Sequence, residues 1–262
     1  MLERAQRHVV KLMLGLNSRT KTDICQGFIG WCSLESYIST QKLFFLGQLL
    51  NLSAHCLPHQ ICVNRLLEYR YNCCEQPRGF IAEVSKILKR YNLSNYIEDF
   101  IISRTFPNKV RWKKLVRDSV KLIETRKWLE RIKHDEDMQL FSEIHPTLES
   151  HPIFSLWSSD PSLNNACSVF VKVCAYARIN DPTSSDRLLC EHCGLFLTCN
   201  LSHAIVECVL FMQKRLDVMK LYSHEEATDN KFLVKMLSLS NVDDYVRKQT
   251  VLFIFLVCEG LV

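Results

Sequence analysis

Four potential metal ligands stand close together in the C-terminal part of the sequence. Cys190, Cys193, His203 and Cys208 form the pattern C-x2-C-x9-H-x4-C. A Cys-x2-Cys pair can wrap a tight turn around one metal ion, and Gly194 gives the backbone the freedom that this turn needs. The histidine and the last cysteine can complete a tetrahedron from the start of a helix. Thiolates and imidazole favour zinc over magnesium or calcium, so the spacing predicts a structural zinc knuckle with no place for a catalytic water.

The cysteines of this stretch are also compatible with packing alone or with a different ligand set. The chain has 13 cysteines, so a pair at this spacing can arise by chance, and buried cysteine is a common small hydrophobic side chain. Cys199 and His192 lie in the same stretch and could replace one of the four ligands. Zinc is favoured by density, since four cysteines and two histidines fall within 19 residues.

Composition indicates an intracellular helical protein. A chain of 262 residues, 47% of them hydrophobic, can form one large or two modest cores. Seven glycines and seven prolines are few, which favours helices over a loop-rich β-sandwich. No secretory signal is visible, and the most apolar run, residues 251–258, is far shorter than the about 20 residues that span a bilayer. We therefore expect thiols and metal ligands in a reducing compartment, the nucleus or cytoplasm, and no membrane attachment.

Apolar residues recur at every third or fourth position along most of the chain, and no alternating strand pattern appears, so we predict an all-α fold. The first helix, residues 2–16, starts in mid-pattern, as expected for the tail of a longer chain, and should expose a basic face. Its predicted apolar face consists of Leu2, Ala5, Val9, Leu12, Met13 and Leu16. Ser33 should begin a helix containing KLFFLGQLL, the expected buried centre of the N-terminal half. Further helices are predicted over residues 58–67, 80–91, 93–102, 107–132, 166–179, 209–221, 227–239 and 242–257.

Charge is concentrated in the longest of these helices. Residues 108–133 contain ten lysines and arginines against three acids, whereas residues 134–149 contain five acids and no lysine or arginine. One interpretation is a helical hairpin whose charged faces attract each other. Another is a basic helix that faces a polyanion, with Trp112 and Trp128 anchoring it to the core. In most proteins such a charge run is a solvated surface without a partner.

The sequence lacks a complete catalytic pattern. It contains no glycine-rich phosphate loop, G-x-S-x-G elbow or H-E-x-x-H motif. The adjacent Asp243 and Asp244 could hold metals in a polymerase, but they lie in a helical pattern without flanking strands. Asp217 with residues 229–231 superficially matches some nucleases, whose chemistry also needs a sheet. We therefore expect no enzymatic activity and no small-molecule substrate.

Several segments together resemble a known family. They are LERAQRHVVKLMLGLNSRTKTDI, QKLFFLGQLLNL, GFIAEVSKILKRYNL, FPNKVRWKKLV and the CEHC…H…C pattern, in this order. Over residues 1–212 the chain is similar to the region after the palm in non-LTR (LINE-type) retrotransposon reverse transcriptases of invertebrates. The fingers, the palm and its catalytic aspartates have no counterpart in this chain, so the resemblance implies no polymerase activity.

The resemblance implies a helical thumb-like bundle, then a helical linker and a small CCHC zinc knuckle. Residues 146–165, rich in Pro, Ser, His and Asn, predict the start of that linker. The expected domains are residues 1–145 (thumb-like), 146–182 (linker with a short helix), 183–220 (knuckle and following helix) and 221–262 (a helical tail with no match).

The function implied by the resemblance is nucleic-acid binding. The thumb would grip an RNA or RNA/DNA duplex, and the knuckle region would help to hold RNA or DNA. By this resemblance, the duplex-facing side of the thumb would be the basic face near Arg4, Arg7, Lys11, Arg19 and Lys21. The charge of the long helix adds further expected contacts, namely Lys109, Arg111, Lys113, Lys114, Arg117 and Lys121. The alternatives are a helical protein-interaction module stapled by zinc, and a decayed retrotransposon remnant without function.

Overall fold

The computed structural model describes residues 2–71, 79–176, 188–189, 193, 196–197, 200–222 and 230–259. Within these ranges the chain is almost entirely helical, which confirms the all-α prediction. The α-helices are α1 (Leu2–Met13), α2 (Thr22–Ile29), α3 (Leu34–Leu50), α4 (Leu57–Tyr71), α5 (Phe80–Arg90), α6 (Ser94–Ser103), α7 (Lys109–Lys133), α8 (Gln139–Ile144), α9 (Ile153–Ser159), α10 (Asn164–Tyr176), α11 (Asn200–Val206), α12 (Met212–Leu221), α13 (Asn230–Ser238) and α14 (Asp244–Glu259). Two strands of two residues, β1 (Leu188–Leu189) and β2 (Phe196–Leu197), pair antiparallel.

The chain forms two compact units. Unit 1 consists of residues 1–31 and 128–262, and unit 2 consists of residues 32–127. Helix α7 belongs to unit 2 as far as Lys127 and to unit 1 from Trp128 onward. The four-part division predicted from the sequence, with boundaries at 145, 182 and 220, follows changes in composition and stays a prediction. The units follow side-chain packing instead, and they divide the predicted thumb-like segment 1–145 between them.

Unit 2 is built around α3 and the buried face of α7. Helix α3 packs against α4 and α5, as its apolar sequence predicts. Ser33 caps α3 by accepting a hydrogen bond from the backbone N–H of Ser36 at 3.2 Å. The Trp112 ring lies directly on α3, where its indole N–H donates to the carbonyl of Leu43 at 2.8 Å. A β-carbon on Gly47 would overlap this ring, so only glycine allows the two helices to approach so closely.

Unit 1 is built around α10 and α14, which pack against each other with α9 and α12 beside them. The buried side of α10 includes Cys167, Phe170 and Cys174, all fully buried. A second layer is aromatic: Phe28 of α2 contacts Phe141 of α8, with ring centroids 5.2 Å apart.

Three segments of unit 1 pack in ways that the sequence did not predict. The predicted linker, residues 146–165, carries α9 and the start of α10 and buries His151, Ile153 and Leu163, because its polar groups hydrogen-bond to backbone rather than to water. The helical tail outside the resemblance, residues 221–262, supplies α14, whose Ile254 is fully buried. Much of the predicted apolar face of α1 is exposed, since Val10 and Leu14, the residue directly after the helix, are buried in the core instead. The exposed members of that predicted face are Ala5, Val9, Leu12 and Met13.

The described helices include none that combines the length and the hydrophobicity needed to cross a bilayer.

Candidate metal centre and basic surface

The C-x2-C pair of the predicted knuckle lies in sequence between two short paired strands. Leu188 pairs with Leu197 and Leu189 pairs with Phe196, so residues 190–195 form the connection between the two strands. This connection contains both cysteines of the C-x2-C pair. Cys193 is described and partly exposed, whereas Cys190, Cys199 and His192 lie outside the described residues. The hairpin was not predicted, because two residues per strand are too few to show an alternating pattern.

Helix α11 carries the histidine, and the turn after it carries the last cysteine. The expectation that both would act from the start of one helix, about one turn apart, differs from the structure, since α11 ends at Val206, before Cys208. The backbone N–H groups of Glu207 and Cys208 both donate to the carbonyl of His203 at 2.8 Å, in a helix-terminating turn. Because five helical residues would rotate a side chain well away from its starting direction, this turn is what returns Cys208 to His203.

The described ligands converge on one point. The ligand atoms of Cys193, His203 and Cys208 all lie within 4.8 Å of one another. Cys193 Sγ and His203 Nε2 are 3.2 Å apart. With ordinary Zn–S and Zn–N bond lengths, two such atoms bound to one tetrahedral zinc ion would be about 3.6 Å apart, which is close to this distance. His203 and Cys208 are buried. Two thiols and an imidazole in this arrangement fit a zinc ion, with the fourth position assigned by sequence spacing to Cys190.

Glu207 fixes the orientation of the histidine ring. Its Oε2 lies 3.1 Å from His203 Nδ1. A carboxylate only accepts hydrogen bonds, so Nδ1 carries the proton and Nε2 presents its lone pair towards Cys193. Carboxylates commonly support metal-binding histidines in this way.

Arg215 of α12 lies against the same centre. Only 9% of its surface is exposed, and its Nη1 donates to the carbonyl of Cys208 at 3.1 Å. Burial lowers the pKa of Arg215, while attraction to Cys208 and Glu207 opposes that shift. Sequence reasoning missed both Glu207 and Arg215. The position of Glu207, four residues after His203 on a helix, was a usable signal, whereas the sequence shows nothing that predicts burial of Arg215.

A second candidate site lies on α7 in unit 2. Trp112, Val116 and Val120 face the core of unit 2, so the opposite side of the helix is exposed. Lys114, Arg117 and Lys121 follow one another there at helical spacing, over about 10 Å of helix axis. The predicted contacts Lys109 and Arg111 are exposed in the turn before them, and Lys113 is partly exposed.

Phe44 of α3 holds two of these cations. Lys113 Nζ and Arg117 Cζ lie 5.6 Å and 5.5 Å from the centre of its ring, which is the range of cation–π attraction. In unit 2 as described, carboxylates form ion pairs with other cations, such as Glu35 with Arg90 and Glu83 with Lys42. The salt bridges of the described residues include none to Lys113, Lys114 or Arg117.

The predicted basic face near the N-terminus lies in unit 1. Arg4, Arg7 and Arg19 are exposed, and Lys11 Nζ donates to the carbonyl of Ser18 at 2.6 Å. Lys21 is already paired, with its Nζ 2.5 Å from Asp135 and 2.8 Å from Asp137. Burial lowers the pKa of Lys21, but the hydrogen bonds and charges of these two aspartates outweigh it, so that pKa is raised. Part of the acidic stretch 134–149 therefore neutralises the segment before α2.

Comparison of the chain with protein-family models, with curated proteins and with solved structures finds no match.

Proposed function

We propose that this chain is a non-catalytic nucleic-acid-binding protein that holds the phosphate backbone of RNA or an RNA/DNA duplex on the exposed face of α7. The observation that carries the proposal is the row Lys114, Arg117 and Lys121, with Lys113 beside it. The resemblance to the thumb region of non-LTR reverse transcriptases supports the same class of ligand. The proposal places the protein inside the cell, in the nucleus or cytoplasm.

The arrangement of this surface favours phosphate binding over the alternative of a solvated surface that has no ligand. Cations held over an aromatic ring lose less conformational freedom on binding than free lysines do. Because the salt bridges of the described residues leave Lys113, Lys114 and Arg117 without a carboxylate, phosphate contacts would not have to replace an internal ion pair. Backbone contacts of this kind depend little on base sequence and strongly on salt.

Zinc has a structural role in the proposal. Cys193, His203 and Cys208, with Cys190 as the fourth ligand, would hold the ion and join the hairpin to α11. A structural zinc ion supplies folding free energy and no reactive group when all four ligands are protein side chains. Lys21 is left out of the proposed contacts because Asp135 and Asp137 already neutralise it.

The test is fluorescence anisotropy with a labelled RNA/DNA duplex of about 20 base pairs, titrated at several salt concentrations. We expect the affinity to fall steeply with salt. The double variant Lys114→Glu/Arg117→Glu should weaken binding at least about tenfold, and the slope of its affinity against salt should correspond to roughly two fewer phosphate contacts.

The matched control is Lys86→Glu/Lys89→Glu, which changes the net charge equally at two exposed positions of α5 in the same unit. It should retain most of the affinity. Equal losses in the two double variants would mean that only net charge matters, and an affinity that does not depend on salt would contradict the proposal.

A further inference from the structure

A row of exposed side chains on α3 lies outside the core of unit 2. Tyr37, Gln41 and Phe45 follow one another at intervals of four residues, on successive turns over about 12 Å of helix axis. Tyr37 is 60% exposed and Phe45 is 49% exposed. Single exposed rings are ordinary on protein surfaces, so what lies beside this row decides what it can do.

Helices α3 and α7 lie against each other in opposite directions. Near the start of α7, the indole N–H of Trp112 donates to the carbonyl of Leu43, in the C-terminal half of α3. Further along α7, Oε2 of Glu124 lies 3.5 Å from Oγ of Ser33, which caps the start of α3. Positions between these two contacts on one helix therefore lie beside the positions between them on the other.

Phe44 marks the border between the exposed row of α3 and the basic row of α7. Lys113 and Arg117 lie over its ring. Tyr37 precedes Phe44 by seven residues, close to two full turns, so both lie on the same side of α3. Lys121 follows Arg117 by four residues, on the same side of α7 and further towards the start of α3. The two rows therefore run side by side.

The two rows offer different chemistry to a nucleic acid. The cations of α7 can hold phosphates, and aromatic rings such as Tyr37 can stack on the faces of unpaired bases. The amide of Gln41 can donate to and accept from base edges. In a duplex the bases are already paired and stacked on each other, so the rings have no exposed base face to meet.

We propose that the basic row of α7 and the exposed row of α3 form one site for a single-stranded segment of nucleic acid. The phosphates of the strand contact Lys114, Arg117 and Lys121, and its bases stack on Tyr37 and Phe45. The inference rests on the proposed function and deepens it, because it states which form of nucleic acid this surface prefers. Stacking tolerates any base, so binding should depend little on sequence.

Tyr37 is the informative residue to change, because Phe45 also contacts the ring of Phe80, with ring centroids 5.4 Å apart. Tyr37→Ala removes the ring, whereas Tyr37→Phe keeps the ring and removes only the hydroxyl. The matched control is Tyr245→Ala on α14 of unit 1, where the tyrosine is 62% exposed. All three variants should fold, since they change exposed positions.

The experiment measures fluorescence anisotropy of the full chain with two labelled probes, an oligouridine of about 12 nucleotides and the RNA/DNA duplex. Tyr37→Ala should weaken oligouridine binding roughly fivefold or more, the effect of losing one stacked base, and should leave duplex affinity within about twofold of wild type. The salt dependence of Tyr37→Ala should match that of wild type, because stacking releases no counterions. Tyr37→Phe and Tyr245→Ala should bind both probes like wild type.

An unchanged oligouridine affinity in Tyr37→Ala would overturn the inference and leave the proposed phosphate contacts in place. An equal loss on the two probes would do the same, as would a loss in Tyr37→Phe or Tyr245→Ala as large as in Tyr37→Ala. The variant Lys114→Glu/Arg117→Glu tests the proposed function separately. If this variant bound both probes like wild type, the proposed function and the inference would both be overturned.

Discussion

His151 lies in the core of unit 1, with 1% of its surface exposed. Its Nε2 bonds to the carbonyl of Leu237 at 3.1 Å, and its Nδ1 accepts from the backbone N–H of Ile153 at 3.2 Å. Burial first, and then the positive charges of His145 and Arg247, lower the pKa of His151 to about 3. The ring is therefore neutral when folded, and both of its nitrogens have partners that require this form.

This depressed pKa predicts that unit 1 loses stability in mild acid. The unfolded chain takes up a proton near the ordinary histidine pKa of about 6.5, while the folded chain does not, so the stability that is present above that pH falls as the pH drops towards about 3. The slope for one such group is at most about 1.4 kcal/mol per pH unit. Urea unfolding between about pH 7.5 and pH 5 should show this loss in wild type, and His151→Gln should show a shallower one.

The control for this prediction is His55→Gln, at an exposed position, which should follow the wild-type pH dependence. Parallel curves for wild type and His151→Gln would contradict the assignment of the loss to His151. His145 contributes in the same direction, because burial also lowers its pKa.

Single residues of the candidate metal centre were partly predictable from the sequence. Spacing picked out Cys193, His203 and Cys208 as candidate ligands, because short intervals between cysteines and histidines let one local segment surround an ion. It could not identify Arg215, since burial of a charged side chain depends on helices packed around it from other parts of the chain. The partner of His151 was equally beyond reach of sequence spacing, since the carbonyl of Leu237 is 86 residues away.

At the scale of elements, α14 organises unit 1 although it lies in the tail that the family resemblance does not cover. It packs against α9, α10, α11 and α12, so it supports both the core and the helix that carries His203. Its buried side includes Val251, Ile254 and Val257, whereas Leu256 is 51% exposed.

A pair of alanine substitutions tests this placement. We expect Ile254→Ala to lower the free energy of unfolding by about 2–5 kcal/mol, because it removes fully buried methyl groups and leaves a cavity. The change Leu256→Ala, on the exposed side of the same helix, should cost less than about 1 kcal/mol. Urea denaturation followed by circular dichroism and tryptophan fluorescence measures both. Similar losses from the two changes would show that α14 is not packed in this orientation.

Helices were predictable because apolar spacing and the Gly and Pro residues between segments are local signals. The predicted start of α3 at Ser33 is confirmed by its cap. The segment predicted as a linker, residues 146–165, is packed into unit 1, because Pro, Ser and His also occur in buried turns, where backbone carbonyls replace water as hydrogen-bond partners. Its role as a linker between domains stays a prediction. The apolar face of α1 was misassigned because spacing alone does not tell which of two adjacent stripes, the one through Val9 or the one through Val10, meets the core.

At the scale of the whole molecule, the two candidate sites belong to different compact units. The described candidate metal ligands lie in unit 1, and the basic row of α7 lies in unit 2. Each site is positioned by the core of its own unit: α11 packs against α13 and α14, and α7 packs on α3 through Trp112. A structural metal should therefore affect stability in one unit and leave the proposed phosphate contacts in place.

Hydrogen exchange of the full chain, with and without a zinc chelator, tests this separation. Chelation should speed amide exchange in α11 and α12, because the ion no longer joins the hairpin, the helix and Cys208, and it should leave α3 to α6 protected. Affinity for the RNA/DNA duplex should stay within about twofold, since phosphate contacts set it. If chelation instead abolished binding while unit 2 stayed protected, the metal centre would itself be part of the nucleic-acid site, and the basic face of α7 alone would not account for the affinity.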